Sequence, residues 1–174
     1  MVTDKCVADN ASAFKSKAIF IDRDGVINVN RNDYVKSWDE FEYIPGAKEA
    51  IKRVTDSDWL LIMITNQSPI GRGIFTHETL DNIHFILLKD LSEFGCRIDA
   101  IYYCPHRPDE GCECRKPKPG LILKAAKDLR IDLKASWMCG DSDTDLEAGR
   151  AAGCMVKKVS RDNPLLNIVE EILG

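Results

Sequence analysis

Aspartates fall in two tight groups along the chain. The first is Asp22-Arg23-Asp24-Gly25, directly after the apolar run Ala18 to Ile21, and the second is the stretch from Asp141 to Asp145, after another apolar run. Two acids spaced by two residues project to the same side if strand geometry persists. Taken alone, Asp-Arg-Asp-Gly also reads as a polar turn. In the second group Asp143 can cap a helix that carries Asp145 and Glu147, but capping accounts for only one or two of these acids. Carboxylates crowded at one place repel one another unless a cation joins them. An oxygen-only set suits a hard ion such as Mg²⁺, which keeps waters that a phosphate oxygen can displace.

A third chemical segment is CPHRPDEGCECRKPKPG, with Cys104, His106, Cys112 and Cys114 in the order C-x-H, five residues, C-x-C. Three thiolates and one imidazole make a closed tetrahedral set for zinc, and the intervening Pro and Gly let a short loop fold back on itself. With no open coordination position, such a zinc is structural. It would shape the loop that carries Arg115 and Lys116. The chain has seven cysteines, an odd number that excludes a complete set of intrachain disulfides. Cys6, Cys96, Cys139 and Cys154 then read as packing residues, and His77 and His84, seven apart on a predicted helix, as helix-surface or packing residues.

The elements that must position these groups are legible from pattern. Short apolar runs at Ala18 to Ile21, Leu60 to Ile64, Ala100 to Tyr103, Ser136 to Cys139 and Cys154 to Val159 read as strands. Helical candidates lie at Gly46 to Asp56, Thr76 to Phe94, Pro119 to Leu129, Asp143 to Ala152 and Pro164 to Leu173, with Gly153 as a helix stop. Strand and helix in alternation imply right-handed crossovers, a mainly parallel sheet with helices on both faces, and ligands at the carboxyl ends of the strands. The polar residues with chemical potential all follow strands.

The chain has 174 residues, 44% of them hydrophobic and 30% charged, enough for one domain with a real core. Its 24 Lys and Arg against 28 Asp and Glu give a net charge of −4, which argues against nucleic acid as the default partner. The longest apolar run, Trp59 to Ile64, is six residues, far short of the roughly 20 that span a bilayer. The first 17 residues contain no stretch resembling a secretory signal. The expectation is a cytoplasmic monomer that binds neither membrane nor nucleic acid.

Taken in order, the strand before Asp22-Arg23-Asp24-Gly25, the strand ending in Thr65, Lys116, and Gly140-Asp141 with Asp145 resemble the four motifs of the haloacid dehalogenase-like phosphatase superfamily. The resemblance implies an α/β, Rossmann-like three-layer sandwich over residues 1–174, with a minimal cap and the zinc loop at 104–114. It implies catalysis by Asp22 as nucleophile, through an aspartyl phosphate, and by Asp24 as acid and base. Asp22, Asp24 through its carbonyl, and Asp141 would hold Mg²⁺, with Asp145 in support. Thr65 and Lys116 would bind the transferring phosphoryl oxygens.

The zinc loop ending in CECRKP narrows this to two branches of the superfamily, the heptose bisphosphate and histidinol-phosphate phosphatases. The stretches INVNRNDYVKSWDEFEYIPG, TNQSPIGRGIFT, DAIYYCPH and KPKPGLIL favour the heptose branch, whose product serves nucleotide-heptose and lipopolysaccharide synthesis. By that resemblance Asn30, Tyr34, Asn66, Gln67, Ser68, Arg72 and Arg115 would surround a sugar bisphosphate and its distal phosphate, where arginines clamp anions bidentately. Two departures stand out. Pro69 replaces a glycine of TNQSGI and would stiffen its loop, and Ser142 stands where some relatives have lysine. Other readings left open are another small phosphate ester, transfer to an acceptor other than water, and a zinc-stabilised module that only binds.

Overall fold

The computed structural model describes residues 16–174. Cys6 lies outside them. Five strands, β1 (Ala18–Ile21), β2 (Leu60–Asn66), β3 (Ala100–Cys104), β4 (Trp137–Gly140) and β5 (Met155–Lys158), alternate with α1 (Ala47–Thr55), α2 (His77–Glu93), α3 (Gly120–Leu129), α4 (Asp143–Ala152) and α5 (Leu165–Leu173). The sheet is wholly parallel in the order β3-β2-β1-β4-β5. The chain therefore builds outward from β1 to β3, then returns to place β4 on the other side of β1. A crevice opens where the direction reverses, at the carboxyl ends of β1 and β4. Asp22 and Asp141 are the residues that leave those two strands.

All four residues of β1 are fully buried, as a central strand covered on both faces must be. Alternate side chains go to opposite layers. Ile19, Ile21, Leu61 and Met63 pack with Ala50, Ile51 and Val54 of α1, Leu87 and Leu91 of α2, and Ile168 and Val169 of α5. Ala18, Phe20, Ile62, Ile64 and Met138 pack with Leu121, Ile122 and Ala125 of α3 and Ala148 and Ala152 of α4. This is the expected three-layer arrangement, and every expected strand and helix forms with ends shifted by at most two residues.

The shifts have local causes. β2 continues to Asn66 because the ladder with β3 persists to the pair Asn66 and Cys104, and Gln67 N–H still donates to the Cys104 carbonyl at 2.7 Å. The first cysteine of the zinc loop is thereby fixed at a strand end. β4 begins at Trp137 because the Ser136 N–H is spent on the Leu133 carbonyl at 3.2 Å, closing the preceding turn, while its buried hydroxyl donates to Asp132 O at 2.6 Å and accepts from Ala18 N–H at 3.0 Å. Gly153 closes α4 with φ +91°, the left-handed geometry expected of a helix stop.

α4 lies close against β4 and β5 because Gly149 has no side chain. A Cβ there would sit 2.6 Å from Met138 Cβ and 2.8 Å from Val156 Cγ1. Gly149→Val is expected to lower unfolding free energy by about 3 kcal/mol, measured by urea denaturation; an unchanged midpoint would contradict this packing.

Candidate active site

Four strand ends deliver the polar residues to one crevice. Its lining includes Asp22, Asp24, Asn30, Tyr34, Asn66, Gln67, Lys116, Asp141 and Asp145. Lys116 is its electrostatic centre. Only 3% exposed, its ammonium lies 2.9 Å from Asp22 Oδ1 and 2.6 Å from Asp145 Oδ1, and donates to the Ile64 carbonyl at 2.8 Å. Burial alone would favour the neutral amine, but the two carboxylates outweigh it and hold the Lys116 pKa above its usual value. Asp22 is pushed up to about 7, first by burial, with Lys116 opposing and Asp145 and Asp24 adding repulsion. Asp141 is raised by burial and by Asp145.

One carboxylate oxygen from each of Asp22, Asp141 and Asp145 falls within 4.8 Å of the others. Gly25 makes room for this group. At φ +85°, a Cβ on it would lie 2.1 Å from Asp141 Oδ2, so only glycine lets the Asp141 carboxylate stand against the turn that follows Asp24. Two carboxylates raised by burial and by the nearby charge of Asp145 fit a hard divalent cation, which would relieve both effects. Within this set Asp145 has a bracing role as well. Its Oδ2 accepts from Ser142 N–H at 3.0 Å and from the Ser142 hydroxyl at 2.6 Å. The Ser142 departure thus supplies the cap of α4.

Asp24 turns toward the protein. Both of its oxygens accept from Arg23 Nη2, at 2.9 and 2.8 Å, one also from Asn28 Nδ2 at 2.9 Å and the other from Gln67 Nε2 at 3.0 Å. Burial raises its pKa, but the Arg23 charge and these donors prevail and hold it below the usual carboxylate value. The sequence alone assigns Arg23 and Asn28 no role. Their signal was present in an arginine locked between two acids and an asparagine four residues beyond the second.

Several residues expected to meet substrate also brace their neighbours. Asn66 fixes the backbone of Lys116, accepting from its N–H at 3.1 Å and donating to its carbonyl at 3.2 Å. Gln67 donates to Thr65 Oγ1 at 2.8 Å as well as to Asp24. Thr65 and Ser68 are buried. Pro69 starts a tight turn in which Ile74 N–H bonds to its carbonyl at 2.9 Å, and which needs no donor from residue 69. Arg72 projects from that turn, exposed, and is not among the residues lining the crevice.

The four zinc-loop residues do converge. Their sulfurs are 3.2 to 3.6 Å apart, and His106 Nδ1 lies 3.2 Å from Cys114 Sγ and 3.5 Å from Cys104 Sγ. Ligands about 2.3 Å from a tetrahedral zinc stand close to these separations, so the donor set and its spacing fit zinc. The loop borders a second depression lined by Arg107, Arg115 and Lys118, which meets the crevice at Asn66, Lys116 and Thr144. Arg115 is steadied there by a 3.2 Å bond to the His106 carbonyl. Cys96, Cys139 and Cys154 are buried packing residues, as expected.

A HAD-hydrolase-like family model matches residues 113–162. The D-glycero-beta-D-manno-heptose-1,7-bisphosphate 7-phosphatase of Pseudomonas aeruginosa is 44% identical over 78% of this chain and 76% of its own length. That of Helicobacter pylori is 42% identical over 86% of each. The chain belongs to this phosphatase family. Its fold matches the crystal structure of D,D-heptose 1,7-bisphosphate phosphatase from Bordetella bronchiseptica, complexed with magnesium and phosphate, with a TM-score of 0.86, 38% identity, and coverage of 90% of this chain and 98% of the other. The chain is therefore a haloacid dehalogenase-like hydrolase, and a module that only binds is excluded. No helix among the described residues is long and apolar enough to cross a membrane.

Cys112→Ser removes one of the four zinc donors. Metal analysis of the purified protein is expected to fall from about one zinc per chain, with kcat/KM reduced at least about tenfold as Lys116 loses its support. Full activity in a zinc-free protein would contradict this role.

Proposed function

We propose that this phosphatase removes the 7-phosphate of D-glycero-β-D-manno-heptose 1,7-bisphosphate and leaves the 1-phosphate in place. The observation that carries the reading is the second basic depression beside the crevice, lined by Arg107, Arg115 and Lys118, taken with relatives named for that reaction at 41–45% identity. The two adjoining hollows, which meet at Asn66, Lys116 and Thr144, suit an elongated ligand with phosphate at both ends. Histidinol phosphate would bring an ammonium group where the chain presents cations. We place the enzyme in the cytoplasm, where its thiols stay reduced, as a single domain working as a monomer.

In the first half-reaction an Asp22 oxygen attacks phosphorus in line and the bond from phosphorus to the sugar oxygen breaks. Asp24 must take up a proton against the Arg23 charge that lowers its pKa, and gives that proton to the sugar oxygen, because an alkoxide leaves poorly. In the second half Asp24 takes a proton from water, the water oxygen attacks phosphorus, and the bond to Asp22 breaks to release phosphate. Lys116 neutralises charge on Asp22 and on the transferring group, and Thr65 and backbone donors at the strand ends orient its oxygens. Asp22, Asp141 and the Asp24 carbonyl would hold Mg²⁺, with Asp145 in support. When bound, the ion supplies positive charge to a phosphoryl oxygen that would otherwise repel the Asp22 carboxylate. Asn30, Tyr34 and Arg115 face the sugar and distal phosphate. Asn66 and Gln67 line the same crevice while bracing Lys116 and Asp24, and Ser68 and Arg72 shape the turn beside them.

Phosphate release should be compared across both heptose bisphosphate anomers, histidinol phosphate and fructose 1,6-bisphosphate. The β anomer is expected to exceed histidinol phosphate in kcat/KM by at least about a hundredfold, with the 1-phosphate as the remaining product. A preference for histidinol phosphate would overturn the assignment.

A further inference from the structure

The side chain of Arg23 points inward and is 1% exposed. Its Nη2 donates to both oxygens of Asp24, while Nη1 lies 3.5 Å from Nε2 of His84, a residue of α2 that is itself 6% exposed. Arginine offers only donors, so this contact requires a bare Nε2 and a ring proton on Nδ1. Burial, followed by the Arg23 charge, keeps the imidazole neutral, with a pKa lowered to about 3. The Tyr103 ring stands edge-on to His84 with centroids 6.1 Å apart, and the Tyr103 hydroxyl lies 3.0 Å from His77 Nδ1. The imidazole is therefore held on a second side.

Neither Arg23 nor His84 has a part in the two half-reactions above. Both are nonetheless buried beside the residue that must move protons in each half. A buried guanidinium whose carboxylate partner is Asp24 fixes where that carboxylate rests. The guanidinium is planar and rigid, so anchoring one end of its fork aims the other.

We infer that His84 is a positioning residue for catalysis: by accepting from Nη1 it orients Arg23, and through Arg23 it sets the Asp24 carboxyl group relative to the leaving oxygen. This rests on the reading of Asp24 as proton donor and acceptor. His84 makes the geometry of proton transfer, and not merely the core, depend on α2. A misplaced acid slows departure of an alkoxide, whereas a nitrophenolate departs without a proton. Loss of His84 should therefore be selective for the leaving group.

The test compares kcat/KM for the heptose bisphosphate and for p-nitrophenyl phosphate, since kcat/KM covers the steps up to cleavage of the ester bond. His84→Leu is expected to lower the value for the sugar phosphate about tenfold, with less than about a twofold loss for the aryl ester. His84→Gln, which keeps an acceptor, should return the sugar phosphate to within about twofold of wild type. If the leucine variant does not fold, His84→Met gives the same comparison. Equal losses on both substrates, no loss on either, or failure of glutamine to rescue would overturn the inference. Asp24→Asn separates it from the reading beneath it. A selective loss there with no selectivity in His84→Leu refutes only the role of His84, whereas an equal loss on both esters in Asp24→Asn refutes the acid role of Asp24.

Discussion

A buried ammonium held between two carboxylates is the interaction on which the site depends. Lys116 meets Asp22 at the end of β1, Asp145 on α4 and the carbonyl of Ile64 in β2, so one side chain ties three elements of the fold together at the point where the sheet reverses direction. Asp145 is fully buried. Without Lys116 it would leave an uncompensated charge in the interior, a loss of the order of 3–5 kcal/mol. The same contact keeps the Asp22 carboxylate in reach of ionisation although burial and two neighbouring acids push it up to about 7. Stability of the switch point and reactivity of the nucleophile thus rest on one charge.

The zinc loop acquires its importance from that charge. Lys116 lies two residues beyond Cys114, and its backbone is clamped on both sides by the Asn66 amide. Asn66 pairs in the ladder with Cys104, the first residue of the metal-binding set. The loop is therefore anchored by β3 at one end, closed on itself by its sulfurs and His106, and delivers its lysine back to β2. A short loop with no sheet partners of its own could not hold a buried ammonium to this geometry by backbone bonds alone. It also presents Arg107 and Arg115 to the second depression, so one loop shapes both the reacting end and the far end of the cavity.

Much of this is legible in the sequence. Continuous apolar runs announced buried parallel strands, the longer stretches between them announced their covering helices, and the chemistry-bearing residues stood after strands, where an α/β sheet gathers its ligands. The three cysteines with His106 could be named because their types and spacing have few other uses, whereas the roles of Asp22, Asp141, Asp145 and Lys116 came with the resemblance to the phosphatase superfamily. Residues that act on residues were harder to read. Nothing in TNQSP says that Asn66 faces a backbone and Gln67 a carboxylate, because an amide in a loop has no periodicity to betray its partner. His84 read as a packing residue because only the tertiary crossing of α2 over the β1 turn brings it to Arg23.

The central claim is that Asp22 carries the phosphoryl group between sugar and water. Its most direct test is rapid acid quenching of enzyme mixed with heptose bisphosphate during the first turnover, followed by peptide mapping of the trapped protein. A phosphoryl group on the peptide containing Asp22, formed and lost at rates matching turnover and missing in Asp22→Asn, is the predicted result. Turnover at the normal rate with the phosphoryl group on another residue, or on none, would contradict it.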